Sequence, residues 1–309
     1  MDLAALRIFK AVVDEGGVAR AARKLHRVPS NVTTRVKQLE ESVGAALFVR
    51  ERKRLFLSPA GKLLLPYAER LLRLCDEARS AVSGPTPRGV LRLGALESTT
   101  ASRLPPVLAR YHGQHPDVRV ELTTGTNDAL TAAVLDRRLD AAFVAEVPAS
   151  KELAHLPLFA ERLTLISSLD HRRIRSPADV EGDSVVAFPD GCAYRRRLQR
   201  WLGDAGGAMR VLNLGSYHAI VACVASGTGI ALVPESVLDT VQSAPVQRHR
   251  LPSAYADVVT PLVWRAREAS AALTALQVES LGVVRVGAPG ARRAGRAPGA
   301  PSRRRGAPP

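Results

Sequence analysis

The sequence predicts an α+β chain of several domains: a small, mainly helical module at the N-terminus, a long connecting helix, and a larger α/β part. Three observations carry this reading. Apolar residues recur at helical spacing across the first 43 residues and again from residue 64 to residue 82. A run rich in Gly and Pro, SGPTPRG at residues 83–89, then breaks the pattern. Beyond it short apolar stretches alternate with helical ones, the grammar of an α/β domain with a largely parallel sheet. At 309 residues the chain is long enough for two or three domains with sizeable cores.

Each element has a local reason. Residues 3–14 put Leu3, Leu6, Phe9, Val12 and Val13 on one stripe, and Glu15-Gly16-Gly17 ends the helix. A second short helix covers residues 18–25, where Ala21, Ala22 and Leu25 turn inward and small side chains let a neighbour approach closely. In HRVPSN, Pro29 suits a helix start and Ser30 can cap the open amides, so a third helix spans about residues 31–42 and Gly44 closes it. Its inward stripe is Val32, Val36, Leu39 and Val43, which leaves Thr33, Thr34, Arg35, Lys37 and Gln38 on the other faces. Polar residues near the amino end of such a helix can reach base edges in a major groove, and Arg35 and Lys37 can reach phosphates as well. LFVRERKRLFLS follows, alternating around Arg52-Lys53 like a basic β-hairpin. Two short helices, a tight glycine turn, a third polar helix and a basic hairpin together resemble a winged helix-turn-helix.

Ser58 is a good cap for the next helix and Pro59 fits its first turn. From there Leu64, Ala68, Leu71, Cys75, Ala78 and Val82 recur at alternating spacings of 4 and 3, a coiled-coil seam suited to pairing with a second copy. In the α/β part, strands are expected at residues 90–95, 118–123, 141–144, 163–166, 184–188 and 211–214. Helices are expected at residues 103–112, 127–136 and 194–202, with one more capped by Ser216 and running to residue 225.

The net charge of +15 is concentrated at the two ends. Residues 1–62 hold 13 Lys and Arg against 6 Asp and Glu, and residues 287–309 hold six Arg and no acid. Such clustering attracts polyanions, of which DNA is the expected one. The tail, GAPGARRAGRAPGAPSRRRGAPP, has too little apolar surface to offset the entropy of ordering and reads as a disordered extension. No run approaches the roughly 18–20 uncharged apolar residues of a membrane-spanning helix. Arg7, Lys10, Asp14 and Glu15 inside the first apolar pattern do not suit a secretory signal, so a cytoplasmic location without a membrane partner is expected. Cys75, Cys192 and Cys223 lack metal-type spacing, and their odd number argues against a disulfide framework. No metal or cofactor is expected.

From AVVDEGG and AARKLH through LEESVGAALF to LSPAG, residues 3–61 are similar, almost without a gap, to the N-terminal motif of the LysR-type transcriptional regulators. ASGTGIALVP, residues 225–234, resembles that family's late glycine motif, and the resemblance covers residues 1 to about 286. It implies a winged helix-turn-helix DNA-binding domain at 1–60, a linker and dimerisation helix with its hinge at 61–89, and a two-lobed periplasmic-binding-protein-like effector domain at 90–286, followed by the tail at 287–309. It further implies a homodimer or dimer of dimers on an interrupted palindrome in double-stranded promoter DNA, contact with the transcription machinery, and a small-molecule co-inducer held between the lobes. Closure of the lobes would then change the spacing or bend of the bound DNA.

Carried onto this sequence, the reading helix corresponds to residues 30–40. Many members have Ser and Arg where this chain has Thr33 and Thr34, and Gln where it has Pro29, so no base contact is expected from position 29. Asn31, Thr33, Thr34 and Arg35 are the base-contact candidates, with Ser30 and Lys37 beside them. Arg50, Arg52, Lys53 and Arg54 of the hairpin would touch the flanking backbone. Within the family, RVPSNVTTRVKQLE, GCAYRRRL and GSYHAIVACVASG look most similar to a branch that includes putrescine-utilisation regulators.

In such a lobed fold helix amino ends face the cleft, where open amides favour an anion or a polar ligand. The effector candidates are Ser98, Thr99 and Thr100, then Thr126 and Asn127, then Cys192, Tyr194 and Arg195, and finally Ser216 and His218. Any of these hydroxyls can equally be a plain helix cap. Arg195 could pair with a ligand carboxylate or belong to an exposed Arg195-Arg196-Arg197 face, whereas Glu97 would favour an amine. Other functions fare worse. Cys192 or Ser216 with His218 makes a nucleophile and base on paper, but Ser216 and His218 do not share a helix face and no GxSxG elbow or phosphate loop accompanies them, so no enzyme is expected. A solute-binding sensor would account for the lobed half and not for the DNA-binding module. Oxidant sensing at Cys192 lacks a resolving partner, since Cys223 reads as buried.

Overall fold

α1 (Leu3–Asp14) starts where the Asp2 carboxylate accepts the Ala5 N–H at 2.7 Å, which satisfies one of the open amides at a helix start. Its Leu6, Ile8, Phe9 and Val12 are buried, and α2 (Val18–Lys24) adds Ala21 and Ala22. α3 (Pro29–Val43) contributes Val32, Val36 and Leu39 to the same cores. The expected cap at Ser30 is corrected here. The helix begins at Pro29, with extended Val28 before it and no side-chain cap. Proline at the first helical position has no N–H to satisfy and its φ is already helical, so Ser30 is left facing outward. Val43, expected to point inward, is exposed, because the helix ends there and Gly44 turns the chain away at φ 71°.

The structure, a computed structural model, describes residues 1–51, 54–82, 86–180, 182–203, 210–241 and 245–287, with side chains except at 54, 77, 80–82 and 285–287. β1 (Phe48–Glu51) and β2 (Arg54–Leu57) pair antiparallel, Phe48 opposite Leu57; the expected hairpin tip at residues 52–53 lies outside the described residues. α4 (Pro59–Val82) is capped by Ser58, whose Oγ accepts the Gly61 N–H at 2.9 Å and donates to the Ala46 carbonyl at 2.5 Å. A Cβ at Gly61 would stand 2.1 Å from the Leu47 carbonyl oxygen, so only glycine lets α4 start this close to the hairpin entry. The chain divides into two units, Met1–Gly89 and Val90–Pro309.

The second unit follows from β3 (Gly89–Ala95) through α5 (Glu97–Ser102), α6 (Leu104–Gln114), β4 (Val118–Thr124), α7 (Asn127–Leu135) and β5 (Ala141–Phe143). β6 (Leu153–Ser168) is followed by a 3₁₀ turn (Pro177–Val180), β7 (Val185–Ala187), α8 (Ala193–Leu202), β8 (Val211–Asn213) and α9 (Tyr217–Ala225). β9 (Ala231–Pro234), α10 (Glu235–Leu238), β10 (Val246–His249), α11 (Ser253–Ala256), β11 (Asp257–Arg265) and α12 (Ala271–Gly287) complete it. The main sheet runs β10-β6-β11-β5-β3-β4, with β9 also on β6.

The sheet is mixed rather than largely parallel. β3 pairs parallel with β5, and β7 with β8, but β6 runs antiparallel to β9, β10 and β11, and β11 to β5. Each of the two long strands contains a proline, a residue that argues against a central strand in sequence. Pro157 and Pro261 lie opposite one another at a shift in register after Thr260. β6 serves two lobes: residues 153–162 pair with β11, and residues 163–168 with β9 and β10. The first lobe packs Leu93, Phe143, Tyr111 and Leu273 into one core, with Tyr111 Oη donating to the Ala272 carbonyl at 2.9 Å. The second buries Val186, Leu198, Ile220 and Val233. The late glycine motif joins α9 to β9. A Cβ at Gly229 would meet the Ser184 carbonyl oxygen at 2.1 Å, the same oxygen that accepts the Ile230 N–H at 2.9 Å. Among the described residues no helix is long and apolar enough to cross a membrane, and no His, Cys, Asp and Glu group could hold a metal ion.

Candidate nucleic-acid interface and effector cavity

Ser30, Asn31, Thr33, Thr34, Arg35 and Lys37 are all exposed on α3, across the helix from buried Val32, Val36 and Leu39. At 100° per residue Thr34 lies near the middle of the open arc, and Thr33 and Arg35 at its margins. The Thr33 hydroxyl donates to the Pro29 carbonyl at 3.0 Å, which leaves it acceptor capacity only. Asn31 Oδ1 accepts from Arg27 at 3.2 Å, so Arg27, which the sequence did not single out, orients the first base-contact candidate. A second residue missed in sequence is Glu40. Its Oε1 accepts the N–H groups of Leu47 (2.7 Å) and Phe48 (3.2 Å) and so ties β1 to α3. A pair of acids, Glu40-Glu41, in the last turn before the glycine stop was the available signal. Arg50 is exposed on β1; Arg52, Lys53 and the Arg54 side chain lie outside the described residues.

The expected seam on α4 is rotated. Ala68 is buried and Leu64 packs beside it in the core shared with Leu6 and Phe9 of α1, Leu71 is exposed, Cys75 is half-buried and Ala78 exposed. The side chain of Val82 lies outside the described residues. The open apolar stripe is Leu63 (72% exposed), Tyr67 (63%), Leu71 and Leu74 (59%). The reason is tertiary: α1 docks on the Leu64 and Ala68 face and is held there by Lys10 to Glu69 at 3.2 Å and Arg7 to Asp76 at 3.5 Å.

In the second unit a cavity of about 290 Å³ is lined by Glu97 and Ser98 of α5, Thr126 before α7, Cys192 and Tyr194 at the start of α8, and Phe188 and Tyr217. It therefore gathers Ser98, Thr126, Cys192 and Tyr194 from the expected set. The others do different work. Thr99 is buried beside the cavity without lining it, and Thr100 donates to the Leu96 carbonyl at 3.1 Å. Asn127 clamps its own lobe, accepting the Ala145 and Glu146 N–H groups, each at 2.9 Å. Arg195 pairs with Asp190 at 2.9 Å and Asn213 at 3.1 Å and lines a smaller adjoining cavity of about 240 Å³. Ser216 precedes α9 but its side chain makes no capping hydrogen bond, which corrects that expectation, and His218 is exposed. Tyr217, between them in the candidate stretch Ser216-Tyr217-His218, is the one of the three that forms the cavity wall.

Burial sets the protonation of this cavity. It pushes the Cys192 thiol up against the pull of the Arg195 and Tyr194 N–H groups, which disfavours the thiolate that redox or nucleophilic chemistry requires. It raises the Glu97 carboxyl against the pull of the Tyr217 N–H and of His218, and it raises the Tyr194 and Tyr217 hydroxyls. Glu97 Oε2 and Tyr194 Oη are both fully buried without a hydrogen-bond partner among the described residues. Outside the cavity, Arg196 of α8 binds Asp128 and Glu146, each at 2.8 Å, and Arg200 binds Glu146 at 2.9 Å, fastening one lobe to the other. The buried contact of Ser167 Oγ with His249 Nε2 at 2.8 Å is a core link: His249 Nδ1 accepts the Ile174 N–H at 3.2 Å, where a catalytic base would have a carboxylate.

A helix-turn-helix with an open polar third helix, followed by a lobed domain with a small cavity, defines the class of DNA-binding regulators with a ligand-binding half. Residues 3–62 match the family model described as bacterial regulatory helix-turn-helix protein, lysR family, and residues 85–280 match the LysR substrate binding domain. The uncharacterized HTH-type transcriptional regulator YusT of Bacillus subtilis (strain 168) is 36% identical over 271 residues, 86% of this chain and 90% of the relative. The HTH-type transcriptional regulator GltR of the same strain is 32% identical over 268 residues, with the same shares, 86% and 90%. The solved structure of full-length CbnR complexed with its target DNA has the same fold, with a TM-score of 0.67 at 22% identity over 93% of this chain and 99% of that one. Full-length BenM matches with a TM-score of 0.56 at 24% identity over 93% of this chain and 97% of its own. The chain belongs to the LysR family and is a DNA-binding transcriptional regulator. These relatives do not single out the putrescine branch that three of its motifs resemble.

Proposed function

We propose that the protein binds its promoter as a homodimer or dimer of dimers through paired α3 helices, and that a small-molecule co-inducer in the cavity of the second unit switches that binding. One observation carries the DNA half: Val32, Val36 and Leu39 are spent on the core while Asn31, Thr33, Thr34 and Arg35 stay open. This supports docking of α3 in successive major grooves, with Ser30, Lys37, Arg50, Arg52, Lys53 and Arg54 on the phosphates. The open stripe of Leu63, Tyr67, Leu71 and Leu74 supports pairing of two α4 helices. The solved complex of CbnR with its target DNA favours the same docking here.

The reading contains no catalytic step, metal or resident cofactor; the raised thiol of Cys192 and the exposed His218 support that. It places the protein in the cytoplasm, beside DNA and the transcription machinery. By linkage, a co-inducer that changes promoter affinity by some factor has its own affinity changed by the same factor when DNA is bound. The test is fluorescence anisotropy on the protein's own upstream region against a shuffled duplex, with sedimentation to fix the assembly. A monomer with equal affinity for both duplexes overturns the reading.

A further inference from the structure

We propose that the ligand of the 290 Å³ cavity carries a protonated amine that binds Glu97, with its stem against Phe188 and Tyr217. This rests on the co-inducer reading and adds the ligand's chemistry. Glu97 Oε2 is buried without a hydrogen bond from any described protein group. A carboxylate oxygen kept in that state costs free energy, and a charged donor offsets the cost best. Among the described lining residues none is Lys, Arg or His.

The cations nearby have partners elsewhere. The Arg195 Nη1 is held by Asp190 and Asn213 while its Nε, buried and without a partner among the described residues, belongs to the adjoining cavity; Arg196 is held by Asp128 and Glu146, and His218 is exposed. Among the residues that line this cavity Glu97 is the carboxyl group, which attracts a cation and repels a carboxylate at close range. The walls agree with that choice. The Phe188 and Tyr217 rings, 4.8 Å apart between centroids, both line the cavity and supply aromatic surface of the kind an ammonium contacts. Tyr194 Oη, buried and without a partner, offers a second acceptor, and an ammonium has three donors to distribute.

Isothermal titration calorimetry of the full-length protein tests this with two sets of probes on a common frame: benzylamine, benzyl alcohol and benzoate, and butylamine, butanol and butyrate. The amines are expected to bind more tightly than their matched alcohols and acids. Glu97→Gln is expected to weaken them about tenfold or more, and Glu97→Asp to recover part of that loss. Binding of an acid or alcohol as tight as that of its amine overturns the assignment, as does the failure of every amine to bind, or amine binding that Glu97→Gln leaves unchanged; the wild-type comparison holds even where a variant does not fold. Failure of the co-inducer reading looks different: amines bind through Glu97, yet promoter affinity is the same with and without them.

Discussion

Asn31, Thr34 and Arg35 on α3 lie in the open, whereas Ser98, Cys192 and Tyr194 around the cavity are buried. The two sites treat polar side chains in opposite ways. On α3 the functional residues are those the core did not take, and water satisfies them until a duplex replaces it. Around the cavity Ser98, Cys192 and Tyr194 have left water, so each of their polar atoms must find a partner or remain costly. The first kind of site is legible as the complement of an apolar stripe. The second is legible only by asking which buried donors and acceptors the protein itself leaves unmet, a question that singles out Glu97 and Tyr194.

The comparison breaks hardest at Phe9, buried in the core of the first unit with its ring 5.4 Å from that of Phe48. Phe9→Ala is expected to cost roughly 3–5 kcal/mol of stability and to abolish promoter binding, while the cavity keeps its ligand. Urea unfolding should show one of two transitions moving; a single transition shifting as a whole would mean that the units are not energetically separate. Next in size, Arg35→Ala is expected to lose about 1–3 kcal/mol of promoter affinity with relaxed preference at one base pair. Lys37→Ala should instead weaken all duplexes alike and lower the salt slope by about 1, and anisotropy across a salt series separates the two.

The buried region answers to pH through His249. Burial holds the His249 imidazole below its ordinary 6.5, so on acidification the unfolded chain takes up the proton first. Stability of the second unit should therefore be flat above that value and fall as pH drops below 6.5 toward the folded-state pKa, with His249→Gln flattening the slope in thermal melts. A melting temperature that climbs over that window contradicts the assignment. The smallest effect is expected at Arg196→Ala. Its side chain is 37% exposed, so losing both ion pairs should cost only about 0–1 kcal/mol, less at high salt, while ligand release from the cavity speeds up in stopped-flow traces.

Much of the first unit was legible because its decisions are local. The α1 stripe, the Gly44 stop, the Ser58 cap and the hairpin pairing all depend on residues within a turn or two of one another. Ser30 was misread because two good starters, Pro29 and Ser30, compete for one helix end, and the proline takes the first helical position. The α4 seam was misplaced because a 4-3 repeat shows that a helix has an apolar face without saying which neighbour claims it. α1 claims Leu64 and Ala68, and the apolar stripe left open is Leu63, Tyr67, Leu71 and Leu74.

In the second unit the sequence by itself determined the alternation of strands and helices, the glycine joint before β9, and four of the cavity residues, since Ser98, Thr126, Cys192 and Tyr194 stand at or beside helix starts. Only the tertiary structure decided that β6 serves both lobes with its proline opposite that of β11, that Asn127 serves its own backbone, and that Glu97 Oε2 is buried with no hydrogen bond among the described residues. Helical periodicity and capping are written in neighbouring residues. Strand partners, burial and the pairing of charges depend on segments that meet only when the chain is folded.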